Sequence, residues 1–346
     1  MNNCHADVLA YHDEEVALPQ KERTEMRERR DANRRRLKQG LERDEEPKPV
    51  DYRSQGSYAM RTMVQQPDKD YDVDDGVYFD IDQLKGRRGG DRSAMDAKEM
   101  VRKALHDDNF DRPPEKLKNC VRVFYKAGYH VDVPVYRRIV DQNDSGQEET
   151  RIELAGSDWR VSNPLAVTDW FLDANRGQSP DNDNGGQLRR IVRLLKGFAR
   201  SRPSWRDHMA TGFMITKLVV EKYSINPARE DMALYDTMVA VRDRLRSDLE
   251  IAHPTVAGEM LTRSATDSRT KFLRDKLNWA IEELAVLSQW DCSRERALNA
   301  WDTAFNSTFF IDRLETGEVT AGLLIKGAEE VAARKPVDKR GGGRYA

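Results

Sequence analysis

The chain holds only three cysteines, Cys4, Cys120 and Cys292, too few and too far apart for a disulfide framework or a C-x-x-C metal knuckle. Disulfides and structural zinc are therefore excluded as main supports. No apolar run approaches the roughly 18–20 residues that a membrane-spanning helix needs, and residues 1–10 lack the basic-then-apolar layout of a signal peptide. A cytoplasmic protein with no membrane association is expected. Charge of one sign is also missing: 58 basic residues face 60 acidic ones, for a net charge of −2. No global positive field is present to hold a nucleic-acid backbone, so any polyanion site must be local and strong nucleic-acid binding is not expected. Repeats of fixed period are absent too. What remains is a polar chain of 346 residues, 38% hydrophobic and 34% charged, long enough for about two domains of roughly 150 residues.

The periodicity divides the chain. Residues 19–46 read as one long charged helix, with Pro19 suited to its first position and Met26, Leu37 and Leu41 as a thin apolar stripe. From about residue 49 to 154 the pattern has period two, with strands expected near 50–54, 71–81, 121–126, 129–137 and 150–154, and a short helix at 94–106. From Pro164 onward apolar residues recur at three- and four-residue steps, predicting helices over 164–175, 187–201, 211–223, 232–249, 270–287 and 293–306. The expected class is α+β, with an N-terminal helix and mixed sheet in residues 1–160, a helical lobe in 161–330, a flexible tail in 331–346 and a cleft between the lobes.

One strand carries residues that strands disfavour. Asp72, Asp74 and Asp75 lie in a run whose Tyr71, Val73, Val77 and Phe79 mark the apolar face. Asp72 and Asp74 then share the other face, about 6–7 Å apart along the strand, and repel unless a cation lies between them. A metal pair bridged by such carboxylates suits phosphoryl or nucleotidyl transfer; the plain alternative is a solvated acidic edge. Asp75, on the apolar face, reads as a local structural carboxylate. Upstream, Gln55-Gly56-Ser57 follows a strand and opens a helix, where backbone N–H groups and a hydroxyl approach an anion closely. Downstream, Asp132 stands alone among Val131, Val133 and Val135 and needs a partner. Arg122 alternates with Val121 and Val123, so it projects beside the carboxylates, either as an ion-pair partner or as a triphosphate clamp.

A Gly-Ser turn, an Asp-x-Asp strand and a third strand aspartate about 60 residues on resemble the polymerase-β-like nucleotidyltransferases. More closely, the ordered set of Gln55-Gly56-Ser57, Asp72–Gly76, His130–Tyr136, Trp159–Pro164 with Asp169-Trp170-Phe171, and Leu188–Lys196 resembles bacterial CD-NTases of the cyclic GMP-AMP synthase branch. That likeness implies a polymerase-β-like core with a helical C-terminal lobe and the active site in the cleft between them. It implies that Asp72, Asp74 and Asp132 hold two Mg²⁺ ions, with Mn²⁺ able to substitute. Lys196 falls where relatives place a lysine on the donor phosphates, and Thr211 where they carry a serine that touches phosphate or base; a helix N-cap is the other reading of Thr211. With Gln55, Gly56, Ser57 and Arg122, these form the expected nucleotide-binding set. The implied activity joins ribonucleoside triphosphates, ATP and GTP first among them, into a cyclic dinucleotide second messenger for anti-phage defence, releasing pyrophosphate and acting through a downstream effector. The alternatives are a nucleotidyltransferase that modifies a protein, a small molecule or an RNA end, and a catalytically silent binding module.

Some such synthases are encoded beside a ubiquitin-E1/E2-like enzyme that joins their C-terminal carboxylate to a target. The run Gly341-Gly342-Gly343-Arg344-Tyr345-Ala346 supplies a slim end for such a pocket, making Ala346 the expected attachment point. Removal of residues 341–346 should then abolish an isopeptide-linked C-terminal peptide in mass spectra while leaving the purified enzyme's activity unchanged.

Overall fold

The computed structural model describes residues 2–69, 71–86, 89–126, 128–142 and 146–315. The tail beyond, with Ala346, lies outside the described residues. The chain opens with α1 (His5–Tyr11), which passes through one π-helical turn, His12–Val16, into the long α2 (Gln20–Arg43). Then follow β1 (Asp51–Ser54), the single turn α3 (Gly56–Ala59), β2 (Asp72–Asp80), α4 (Ala94–Ala104), β3 (Glu115–Lys116), β4 (Val121–Phe124), β5 (His130–Val133), β6 (Val135–Gln142), β7 (Glu148–Ala155) and β8 (Trp159–Val161). The helical half comprises α5 (Pro164–Gln178), α6 (Gln187–Arg200), α7 (Gly212–Lys222), α8 (Glu230–Ser247), α9 (Ser268–Leu284), α10 (Arg294–Phe305) and α11 (Phe309–Glu315).

The sheet is mixed. β2 runs parallel to both β5 and β6 and antiparallel to β1, while β4 and β7 flank them antiparallel. A single strand is expected over 129–137, but the structure divides it at Pro134, which has no N–H to give the ladder. On one face Val73, Val77, Phe79, Val121, Val123 and Val131 pack against Met26, Leu37 and Leu41 of α2 and Ala97, Met100 and Val101 of α4. The expected stripe of α2 is thus buried. Pro19 caps that helix from outside, rather than occupying its first position.

Two expectations are corrected. Residues 1–160 do not form one unit: Cys4, Val8, Tyr11 and Val16 pack into the core of the helical lobe, and Asp7 pairs with Arg294 of α10 at 2.6 Å. Four of the five basic residues of α6, where a basic helix face is ordinarily expected in solvent, are buried; Arg189, Arg190, Arg193 and Lys196 are each less than one-tenth exposed. This helix runs through the centre of the molecule, and Glu230 and Asp181 neutralise Arg190 there. The N-cap reading of Thr211 is borne out, and Asn163, Asp267 and Ser293 likewise each accept a first-turn N–H.

Asp75 carries the lock between α2 and the sheet. Arg34 donates to it twice, at 2.7 and 2.5 Å, and Ser54 Oγ donates at 2.9 Å, while its side chain is 4% exposed. The structural role expected for Asp75 is what the structure shows. Removing one partner leaves a buried charge unpaired, so Arg34→Met is expected to lower stability by about 3 kcal/mol in urea unfolding, with much of the loss recovered on adding Asp75→Asn.

Candidate active site

The parallel register of β2 with β5 sets Asp74 opposite Asp132, and the antiparallel register of β4 with β5 sets Arg122 opposite Asp132. Period-two alternation therefore places Arg122, Asp132 and Asp74 in one row across a single sheet face, with Asp72 two residues from Asp74 on that face. Arg122 donates to both oxygens of Asp132 at 2.7 and 2.8 Å, and its Nη2 lies 3.0 Å from Asp72 Oδ1. Arg122 is thus ion-paired to two of the carboxylates, as one of its two readings from sequence has it. His130 Nδ1 stands 3.6 Å from Asp72.

Asp74 bears the cost of this crowding. Burial first, then the carboxylates of Asp132 and Asp72, push its pKa up to about 7, against the opposing pull of Arg122. Among the described residues no three ligating side chains converge on one point. The guanidinium of Arg122 supplies the positive charge between Asp132 and Asp72 instead. The donor set still suits a hard divalent cation: three carboxylates share one sheet face, and one is held back from ionising by the other two.

The turn between β1 and α3 is bonded directly to this strand, as Gln55 N–H donates to the Asp74 carbonyl at 3.0 Å. Gly56 takes a positive φ of 63°, and a Cβ there would lie 2.5 Å from Asp74 Oδ2, so only glycine fits. Ser57 lines the cleft beside it. Gln55 is also at the cleft, but its amide is bonded to the Tyr136 hydroxyl at 3.0 Å, and the two lie over Gly76, where a side chain would strike the Tyr136 ring.

Above this floor lies a cleft of about 1000 Å³ walled by both lobes. The helical side contributes Lys196, Arg200, Thr211, Gly212, Phe213, His253 and Arg269. Lys196 is buried; Nζ donates to the Thr62 carbonyl and hydroxyl at 3.1 and 2.9 Å. Burial, with smaller contributions from Arg200 and Arg193, brings its pKa down to about 7. Thr211 accepts from Met214 N at 3.3 Å, so it serves as an N-cap at the cleft wall. The structure thus gathers every described candidate at one cleft or its floor. Sequence reading missed Arg160, Arg206, Phe213, His253, Glu259 and Arg269 as cleft residues. All come from loops, a short edge strand or a helix start, where periodicity carries no orientation.

Comparison with known proteins agrees with this geometry. Residues 50–136 match the nucleotidyltransferase domain of the cyclic GMP-AMP synthase DncV-like family. The fold is shared with CdnC of Escherichia coli MS115-1 in its complex with HORMA-deltaN, which is 19% identical, with 88% of this chain and 98% of that one covered and a TM-score of 0.65. CdnC with ATP is 18% identical, covers 88% and 98%, and has a TM-score of 0.64. Vibrio cholerae DncV, a cyclic AMP-GMP synthase bound to the linear intermediate 5′ pppA(3′,5′)pG, is 17% identical, covers 88% and 95%, and has a TM-score of 0.67. Residues 50–136 thus match a nucleotidyltransferase domain, and the chain as a whole shares the fold of CdnC and DncV.

Two shifted groups of the cleft contribute to the metal-free protein's response to pH in separate windows. Asp74 titrates near 7 when folded and near 3.8 when unfolded, so the folded state keeps an extra proton in between and stability falls as pH rises from about 4 to about 7. Lys196 acts in a separate window: its penalty is full below about 7 and is relieved as pH climbs toward 10.5. Thermal melts of Asp74→Asn without metal should lack the decline between about pH 5 and 7 and lie several degrees above wild type at pH 7.5.

Proposed function

We propose that the chain joins two ribonucleoside triphosphates, ATP and GTP, and closes them into a cyclic dinucleotide that signals to a downstream effector in anti-phage defence. The observation that carries this reading is the carboxylate row of Asp72, Asp74 and Asp132 at the floor of a cleft lined on its other walls by Lys196, Arg200, Arg206 and Arg269. Carboxylates at the floor and cations on the walls suit a polyphosphate whose reacting end meets a metal. The cleft stands at the upper end of the roughly 300–1,000 Å³ usual for ligand sites, as two nucleotides held at once require.

Asp72, Asp74 and Asp132 would hold Mg²⁺, with Mn²⁺ as a substitute. When bound, the metal activates the attacking ribose hydroxyl and offsets charge on the departing pyrophosphate. Around it, Gly56 leaves the main chain bare beside Asp74, so phosphate oxygens reach the N–H groups of the turn, with the Ser57 hydroxyl alongside. Lys196 presents a buried amine to the donor phosphates, and an arriving polyanion favours its protonated form. Gln55 and Tyr136 brace each other under the turn and keep it seated on β2. The Phe213 and His253 rings, 5.6 Å apart and edge to face, offer an aromatic wall for a base. The linear intermediate must turn within the same cleft for the second attack.

The test is incubation of the purified chain with radiolabelled ATP and GTP and Mg²⁺, followed by phosphatase. A phosphatase-resistant product is expected from wild type, and Asp72→Asn, Asp74→Asn and Asp132→Asn should each reduce it by at least a hundredfold while melting at or above the wild-type temperature. Only phosphatase-sensitive linear products would point to transfer onto another acceptor.

A further inference from the structure

Three successive carbonyls behind the Gly-Ser turn are gripped by one face of α6. Arg189 Nε donates to the Met60 carbonyl at 3.1 Å, and Arg193 donates to the Arg61 carbonyl through Nε at 2.9 Å and Nη2 at 2.6 Å. Lys196 then takes Thr62. The spacing of four and three residues aligns all three cations on one side of the helix, and each finds the next carbonyl along the chain. The same two arginines reach across to the loop before α6: Arg189 Nη1 donates to the Gly185 carbonyl at 2.7 Å and Arg193 Nη1 to that of Asn184 at 3.3 Å.

Neither Arg189 nor Arg193 is ion-paired to a carboxylate among the described residues, although both are buried, at 7% and 3% exposure. Arg190, between them, pairs directly with Glu230 and Asp181, while Asp13 reaches Arg193 only at a distance, across His12. Burying guanidinium groups against carbonyls and uncharged rings, with no carboxylate in direct contact, is unfavourable for stability, and burial indeed works against the charge of Arg193. The segment they hold is itself strained, since Arg61 has a φ of 55°, in the left-handed region that non-glycine residues rarely occupy. A strained turn held by costly cations is an arrangement retained for position rather than for stability.

We infer that Arg189 and Arg193 are positioning residues for the donor phosphates, holding residues 60–62 against the helical lobe so that the Gly56-Ser57 turn and Lys196 face one another at a fixed distance. The inference rests on the cleft binding a nucleoside triphosphate. Because the turn is bonded to β2 through Gln55 N–H and the clamp sits on α6, these contacts also fix one lobe relative to the other at the site.

Binding of inorganic tripolyphosphate, measured by calorimetry on the full chain, tests this without depending on the product made. Wild type should bind it, and Arg193→Met and Arg189→Met should weaken binding tenfold or more, approaching the loss in Lys196→Ala. KM for the donor nucleotide should rise by the same factor, with kcat falling less. Arg193→Lys, which keeps the charge without the two-pronged grip, should recover no more than a third of the lost affinity, and it carries the test if the methionine variant does not fold. Folded variants that bind tripolyphosphate within twofold of wild type would overturn the clamp alone. Absence of binding in wild type would overturn the reading of the cleft, and the clamp's purpose with it.

Discussion

Three carboxylates on one patch of sheet cannot all remain charged without a cation among them, and the architecture of this protein turns on that constraint. β2, β4 and β5 set the row by register, so no side-chain movement removes the repulsion. Arg122 answers part of it by bridging Asp132 and Asp72, and Asp74 answers the rest by holding its proton up to about pH 7. A sheet that carries such a row is less stable than one with neutral residues there. Under the proposed function, that penalty is retained for a cation-assisted reaction rather than for packing.

Across the cleft the charges invert. α6 brings buried cations to the floor segment, and the carboxylates ion-paired to that helix among the described residues, Glu230 and Asp181, are both taken by Arg190. The two lobes therefore present an acidic face and a basic face to the same space. They are held in register by main-chain carbonyls of residues 60–62 and by the N-terminal segment, whose Val16 and Ala17 pair with Gln65 and Val64 after α1 has lodged in the helical lobe. A triphosphate with a bound metal complements both faces at once.

Much of this was legible in the residues. Alternation alone put Asp72 and Asp74 on one face, Asp75 on the other and Arg122 beside the carboxylates, because side-chain direction in a strand follows from period two. The helix cap at Thr211 was equally open to reading. What alternation could not provide was the partner across the sheet: that Arg122 lies opposite Asp132 depends on register, a tertiary property. The burial of α6 was hidden because basic residues on a helix ordinarily face solvent; only the tertiary structure shows the carbonyls of residues 60–62 covering Arg189, Arg193 and Lys196, and acids taking Arg190. The lodging of residues 4–16 in the helical lobe was missed for a similar reason, since a short helix records only that it has an apolar side, and not which core receives it. The cleft wall at His253 and Glu259 comes from a loop, and loops carry no periodicity to orient them.

The central claim is that the carboxylate row is a site for two cations acting together. Electron paramagnetic resonance of the full chain with Mn²⁺ and a non-hydrolysable nucleoside triphosphate addresses it directly. A dipolar-coupled pair of ions roughly 3.5–4 Å apart, lost in Asp74→Asn, is the predicted result. Uncoupled Mn²⁺ carried by the nucleotide alone, with a spectrum indifferent to Asp74, would contradict it.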